Sequence, residues 1–475
     1  MTKHFTYYLF LLLILNCEFA NSQTHIEIIN ADEISFNKKI NEDRQVLIGH
    51  VKTKHQNRYL VCDSAYFYSK ENKIEAFSNI HIWQGDSLNL RGDHLIYHGD
   101  HQLAEIQRNV QFNHNEMELT SEQLKYNFEV ETAYFDHQAE ISQHEKLLKS
   151  NRGIYYAKLE KFDFFDKVIV FNGTETLTAD TLYYWLKTEY AEFKSNGTIK
   201  NNSISVSANK GWVNQSEGSA FLSDQISITD LDTDYVLHAD TSVFTNQMNY
   251  SVSYGHTLLV LPTNEDSLFL TADSIIHDNR SNTNILRAYY NVAFESNHTS
   301  GKCDSLNFYT DKNLIVLNKE PVLWLDEFQL SADTIRIELK ENTIKQVILN
   351  HSAFISSEID SLSVNQISGE TMFAQFRNNE LNNIKVEGNG ESIYYVQDDK
   401  EEQNIGVNKI ICSNMNIYME DRKIKNINFY EKPDAILSPI KNIVAKNFLL
   451  KGYKQHAKWE VIEKIQSKTQ LYYAY

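Results

Sequence analysis

A unit of about thirty residues repeats along almost the whole chain, and no other feature narrows the fold as much. Its first half reads Val61-Cys62-Asp63-Ser64-Ala65-Tyr66-Phe67-Tyr68. It returns as Thr178-Ala179-Asp180-Thr181-Leu182-Tyr183-Tyr184, His238-Ala239-Asp240-Thr241, Thr271-Ala272-Asp273-Ser274-Ile275, Lys302-Cys303-Asp304-Ser305-Leu306 and Ser331-Ala332-Asp333-Thr334-Ile335. Weaker copies centre on Asp32, Asp93, Glu122, Asn151, Asn209, Glu370, Ser413 and Lys446. Neighbouring copies lie mostly 29 to 33 residues apart, with longer gaps before Glu370 and Ser413.

The second half is Lys73-Ile74-Glu75-Ala76 leading to Asn79-Ile80-His81-Ile82, and Leu103-Ala104-Glu105-Ile106 leading to Asn109-Val110-Gln111-Phe112. It recurs as Ile285-Leu286-Arg287-Ala288 with Asn291-Val292-Ala293-Phe294. Apolar and polar residues alternate, the period of a strand with one buried face. Intervening Asn, Asp and Gly tolerate left-handed backbone and suit turns. Only four prolines interrupt the ladder. Helical periodicity is scarce, and its best candidate, 453–467, is weak. If each unit supplies two strands, 28 of them at 4.8 Å spacing extend on the order of 130 Å; one layer per unit gives roughly 65 Å.

Two chemistries fit the repeated Asp-Ser/Thr pair. Stacked units would align it into a ligand column, but like charges at that spacing repel unless cations intervene. Alternatively it satisfies backbone groups at a strand bend, which Asn209 and Lys446 in the same slot favour. Cys62 and Cys303 occupy a position filled elsewhere by Ala179, Ala239, Ala272 and Ala332, which marks them as small buried side chains. The chain has no phosphate loop, nucleophile elbow, Cys-x-x-Cys or His-Glu-x-x-His motif, and its 17 histidines are scattered. No catalytic residue, metal ligand or cofactor is assigned, and the expectation is a protein that is not an enzyme. A net charge of −18 disfavours nucleic acid or anionic lipid surfaces as partners of the body.

The amino terminus resembles an export signal. Lys3 and His4 precede the apolar stretch 7–15, and Ala20 and Ser22 supply small residues for cleavage after Ser22. Residues 1–22 are therefore expected to be a signal peptide. Asn16 before Cys17 argues against a lipid anchor. No later stretch reaches 18 apolar residues. The widely separated Cys62, Cys303 and Cys412 give no disulfide framework.

The pattern Ala-Asp-Ser/Thr-apolar-x-Tyr, followed by an apolar-Glu-Ala/Ile segment and Asn-Val/Ile, resembles the OstA family. That family includes the lipopolysaccharide-transport protein LptA and the amino-terminal periplasmic domain of LptD. The copies at Asp63, Asp180, Asp273, Asp304 and Asp333 carry the likeness most clearly, and it spans roughly residues 25–440. Abundant Asn, Lys, Ile and Tyr, with Gln23 at the mature start, resemble OstA-like proteins of Bacteroidetes. The resemblance implies an all-β, elongated repeat β-jellyroll (a β-taco) of stacked V-shaped antiparallel strands over residues 23–440, with two or more consecutive subdomains as an option. It also implies a periplasmic location in a Gram-negative bacterium, with outer-membrane association as an option, and a lipopolysaccharide or related glycolipid as cargo. An inner-membrane transport complex and an LptD-like outer-membrane barrel would be partners, and terminal strands would pair head to tail. Ile74, Ala76, Ile80, Ile82, Ile106, Val110, Phe112, Val292 and Phe294 would line the lipid groove.

The array has fourteen units where LptA needs a few, and the 35 residues after Ile440 are too few for a membrane barrel. Residues 441–475 carry seven lysines against Glu460 and Glu463, a net of +5. This tail would cap the last open edge, contact anionic headgroups or dock on a partner. A lipid bridge is the leading reading. A dry structural or protein-binding solenoid assisting outer-membrane assembly, and a polysaccharide-processing enzyme on a β scaffold, are the alternatives.

Overall fold

The computed structural model describes residues 24–36, 43–262, 267–280, 284–341, 343–360, 363–377, 380–397, 404–420, 423–440 and 448–473. The expected signal peptide lies outside them, as do Lys446 and the first seven residues of the basic tail. The chain falls into two compact units, Met1–Lys187 and Thr188–Tyr475. Both are built from antiparallel strands laid successively on one another, an all-β repeat architecture.

Each thirty-residue repeat supplies two layers. In the first unit, Arg58–Tyr68 pairs with Lys73–Gln84, which pairs with Leu88–His98, which pairs with Leu103–His114. The Asn-containing segment, which looks like a turn in the sequence, lies inside a strand. Ser78 and Asn79 both take left-handed φ, 62° and 50°, as do Arg108 and Asn109 at 62° and 53°. The ladder jumps from Phe77↔His94 to Ile80↔Gly92, so two residues face the single Asp93. Such a two-against-one bulge bends the strand without ending it. Every layer is thus divided into a first limb and a second limb.

The slot residues sit at this bend. Asn79 Nδ2 donates to Asp63 Oδ2 at 2.8 Å, Asn109 to Asp93 at 2.6 Å and Asn291 to Asp273 at 2.9 Å. A histidine takes the Asn role in His50–Asp32 and His256–Asp240, at 2.7 and 2.6 Å. The slot backbone is also used: the N–H groups of Asp32, Asp240 and Asp273 donate to Gly49, Gly255 and Tyr290 carbonyls at 2.9–3.0 Å. The structural reading therefore describes these residues, with a correction to its detail. The carboxylates accept from the side chain opposite, whereas the expectation was a backbone N–H.

Inward side chains form continuous columns. On the first limb Leu47, Ala65, Ala76, Leu95, Ile106 and Leu124 follow one another in register. On the second limb the column is Leu60, Ile82, Leu90, Phe112, Leu119, Ile141, Leu148, Val170 and Leu177. All are buried. Large residues interdigitate with small ones: a Cβ on Gly301 would lie 2.2 Å from the Phe294 ring facing it. Cys62, Cys303 and Cys412 are buried free thiols, and burial pushes the first two up to about 12. They act as small apolar fillers.

The helix, here α1, runs Lys458–Tyr473, five residues later than the sequence candidate begins. Val461 and Ile465 bury themselves against Ala293, Val322 and Trp324 on the outer face of the second limb in the second unit. Upstream, Leu450 packs on Phe354, Ile393, Tyr395 and Val407 of the same face. The tail is pinned by Gln366, which bonds the Phe448 carbonyl at 3.0 Å and the Leu450 N–H at 2.9 Å. Gln329 bonds the Lys454 carbonyl and His456 N–H at 2.8 and 2.9 Å. Tyr472 reaches the His256 carbonyl at 2.7 Å. The described tail therefore runs back over the layers as a strap across a face.

Candidate functional site

The bend brings the two rims of hairpin turns together in the first unit, and the seam between them is the mouth, with the columns beneath it. Backbone bonds run along the first rim of the first unit. Gly99 N–H donates to Asn72 O, Phe128 to Gln102, Ala157 to Glu131 and Leu186 to Glu160, all at 2.8–3.0 Å. Each bond links one turn to the next along the rim, so the rim is regular although its turns differ in sequence.

All nine residues proposed as lining point inward. Ile74, Ala76, Ile80, Ile82, Ile106, Val110 and Phe112 do so in the first unit, and Val292 and Phe294 in the second, at 0–5 % exposure. They meet other side chains there. Phe112 on the second limb lies 5.1 Å from Tyr126 on the first, and Tyr155 stacks on Phe162 at 4.5 Å. The interior is packed by its own aromatic rings.

The mouth of the first unit is latched by polar contacts between the rims. His55 and Arg58 from the second rim meet Tyr97 of the first limb at 2.6 and 2.9 Å. Arg58 also bonds Gln102 on the first rim and lies 4.7 Å over the Phe128 ring. His114 bonds Tyr155 at 2.9 Å, and Asn115 bonds Glu160 at 3.2 Å. In the neutral ring, His55 Nε2 donates to the Thr24 carbonyl at 2.8 Å and Nδ1 accepts from the Tyr97 hydroxyl, which accepts from Arg58. This chain requires neutral His55, and burial holds its pKa below the usual histidine range. Burial also pushes Tyr97 up to about 12.

A cavity of about 10 Å³ lies under the latch, lined by Thr53, His55, Arg58, Leu60, Ile82 and Tyr97 among others. It has room for one water. Of the lining residues named from the sequence, only Ile82 reaches it. Arg58, His55 and Tyr97 were missed. The signal for Arg58 was present: Leu88 and Met117 begin the equivalent strands with buried apolar side chains. A charged residue interrupting an apolar column marks an exception to the repeat. Among the described residues, no group of three His, Cys, Asp or Glu is placed to hold a metal.

Stacked, bent antiparallel strands with apolar columns define the class of protein at the level of architecture. Residues 23–180 match the family model described as OstA-like protein. The matched segment, about a third of the chain, is similar to OstA-like proteins. No curated protein matches the chain. Fifteen solved chains do. One is LptH from Pseudomonas aeruginosa, described as the LptA-homologous periplasmic component of the lipopolysaccharide transport device. It is 13% identical, with 30% of this chain and 95% of that chain covered, at a TM-score of 0.24.

Proposed function

We propose that the chain is a non-enzymatic periplasmic carrier for lipopolysaccharide or a related glycolipid, of the OstA-like type found in Bacteroidetes. Its acyl chains would lie along the apolar columns, and its sugars would project from the mouth towards solvent. The unbroken second-limb column from Leu60 to Leu177 carries this reading, because it gives a hydrocarbon chain a continuous dry path. Each buried methylene is worth about 0.8 kcal/mol, so burying an acyl chain offsets the packing between limbs that opening disrupts. Loading proceeds by parting the limbs, since the resting interior is filled. An inner-membrane transport complex would supply cargo, and an outer-membrane LptD-like barrel would receive it. Head-to-tail strand pairing would extend the path.

A dry scaffold that binds other proteins is the second reading, favoured by the near-complete burial of the same columns. Photo-crosslinking in living cells separates the two. A photoreactive residue at Ile80, Val110 or Phe294 is expected to capture glycolipid, whereas one at outward Glu75 or Glu105 is not. A folded, exported protein giving no lipid adduct at the inward positions rules out the carrier.

A further inference from the structure

Arg58 is 95% buried, its relative exposure being 5%. It forms no ion pair among the described residues. Its guanidinium is held by neutral acceptors only, Tyr97 Oη at 2.9 Å, Gln56 Oε1 at 2.5 Å and Gln102 Oε1. Its Nε is buried with no hydrogen-bond partner. A guanidinium normally answers burial with a carboxylate or a phosphate, which it grips through two parallel N–H bonds. Here one donor of such a pair is vacant, and the other rests on side-chain amides that an anion would displace.

The surroundings are consistent with this. His55 and Thr53 continue the polar stretch in positions that are apolar or half-exposed in the following repeat, and both line the small cavity with Arg58. Directly below, Leu60, Ile82 and Leu90 begin the second-limb column. A buried cation at the mouth and a hydrocarbon path beneath it match the two ends of an amphiphile.

We propose that Arg58, with His55 and Tyr97, is a headgroup site for an amphiphile bearing a phosphate-type oxyanion. The anion takes the free Nε and the amide-bound edge of the guanidinium. In doing so it releases Gln102, the first-rim contact of the latch, while Tyr97 stays on the other terminal nitrogen, so headgroup binding loosens the mouth. This rests on the carrier reading and assigns it a ligand class and an entry point.

The test measures binding of dihexanoyl phosphatidic acid to the full exported chain by calorimetry, beside dihexanoyl glycerol and inorganic phosphate. The phosphate-bearing lipid is expected to bind at least tenfold more tightly than the phosphate-free one, and Arg58→Gln to erase that difference. Gln102→Leu, which keeps Arg58 and removes a competing acceptor, is expected to tighten binding about threefold, and it decides the matter if Arg58→Gln does not fold. Equal affinity for both lipids, or no response in Gln102→Leu, overturns the headgroup site and leaves the carrier standing. Binding of neither lipid removes both. Inorganic phosphate binding as tightly as the lipid would make this a free-phosphate site and overturn the amphiphile assignment.

Discussion

Two kinds of histidine have opposite consequences for stability. His50 and His351 donate to Asp32 and Glu370, whose hydrogen bonds and charges raise their pKa above 6.5. The stability they contribute is full below 6.5 and lost as pH rises through the raised value. His55 is the reverse, since burial lowers its pKa below 6.5. The unfolded chain binds that proton more readily, so the stability from neutral His55 is present above 6.5 and lost as pH falls through the depressed value. His114 in the same latch is depressed by burial too. Melting temperature is therefore expected to drop more, or rise less, between pH 7 and pH 5 in the native chain than in His55→Gln, whatever that variant's stability at pH 7. An unchanged slope in thermal melts would show that His55 is not held neutral. The sequence displayed the slot residues through repetition, whereas His55 and Tyr97 lie 42 positions apart and belong to no motif. Only the fold brings them together.

At the level of elements, the two-layer repeat and the strap were the parts least open to sequence reading. Left-handed pairs such as Ser78-Asn79 look like chain reversals, and their role as bends depends on bulge geometry that periodicity does not encode. The strap did leave a trace. Leu258-Leu259-Val260-Leu261 and Val322-Leu323-Trp324-Leu325 are runs without alternation, the mark of strands covered on both faces. Their inner face meets the columns, and Val322 and Trp324 on the outer face meet α1. Removing the Ile465 side chain beyond Cβ should weaken this docking by about 2–5 kcal/mol, the usual cost of an aliphatic-to-alanine cavity. Hydrogen exchange should then rise in 458–473 of Ile465→Ala while the strands of the first unit stay protected. Unchanged exchange across the helix would mean that it is held by its polar contacts. The Lys302–Glu460 pair at 3.2 Å adds little, since one partner is one-third and the other half exposed.

On the scale of the whole molecule, antiparallel layering imposes a parity rule on the length of the chain. Each layer carries the backbone from one rim to the other, so only an even number of layers returns it to the rim it left. Lys200 ends a layer at the second rim, and Leu231 resumes there before the layer Val236–Thr245. Excising 201–230 removes two layers and leaves the next one entering with the correct polarity and phase. Excising 201–214 removes one and forces every later layer to enter from the opposite side. The first deletion should keep the strand signal and a cooperative melt in circular dichroism, and the second should lose them. Comparable folding of both would refute the rule. Such a stack grows or shrinks by doublets, so the length of a single unit is quantised in steps of roughly 10 Å, twice the interstrand spacing.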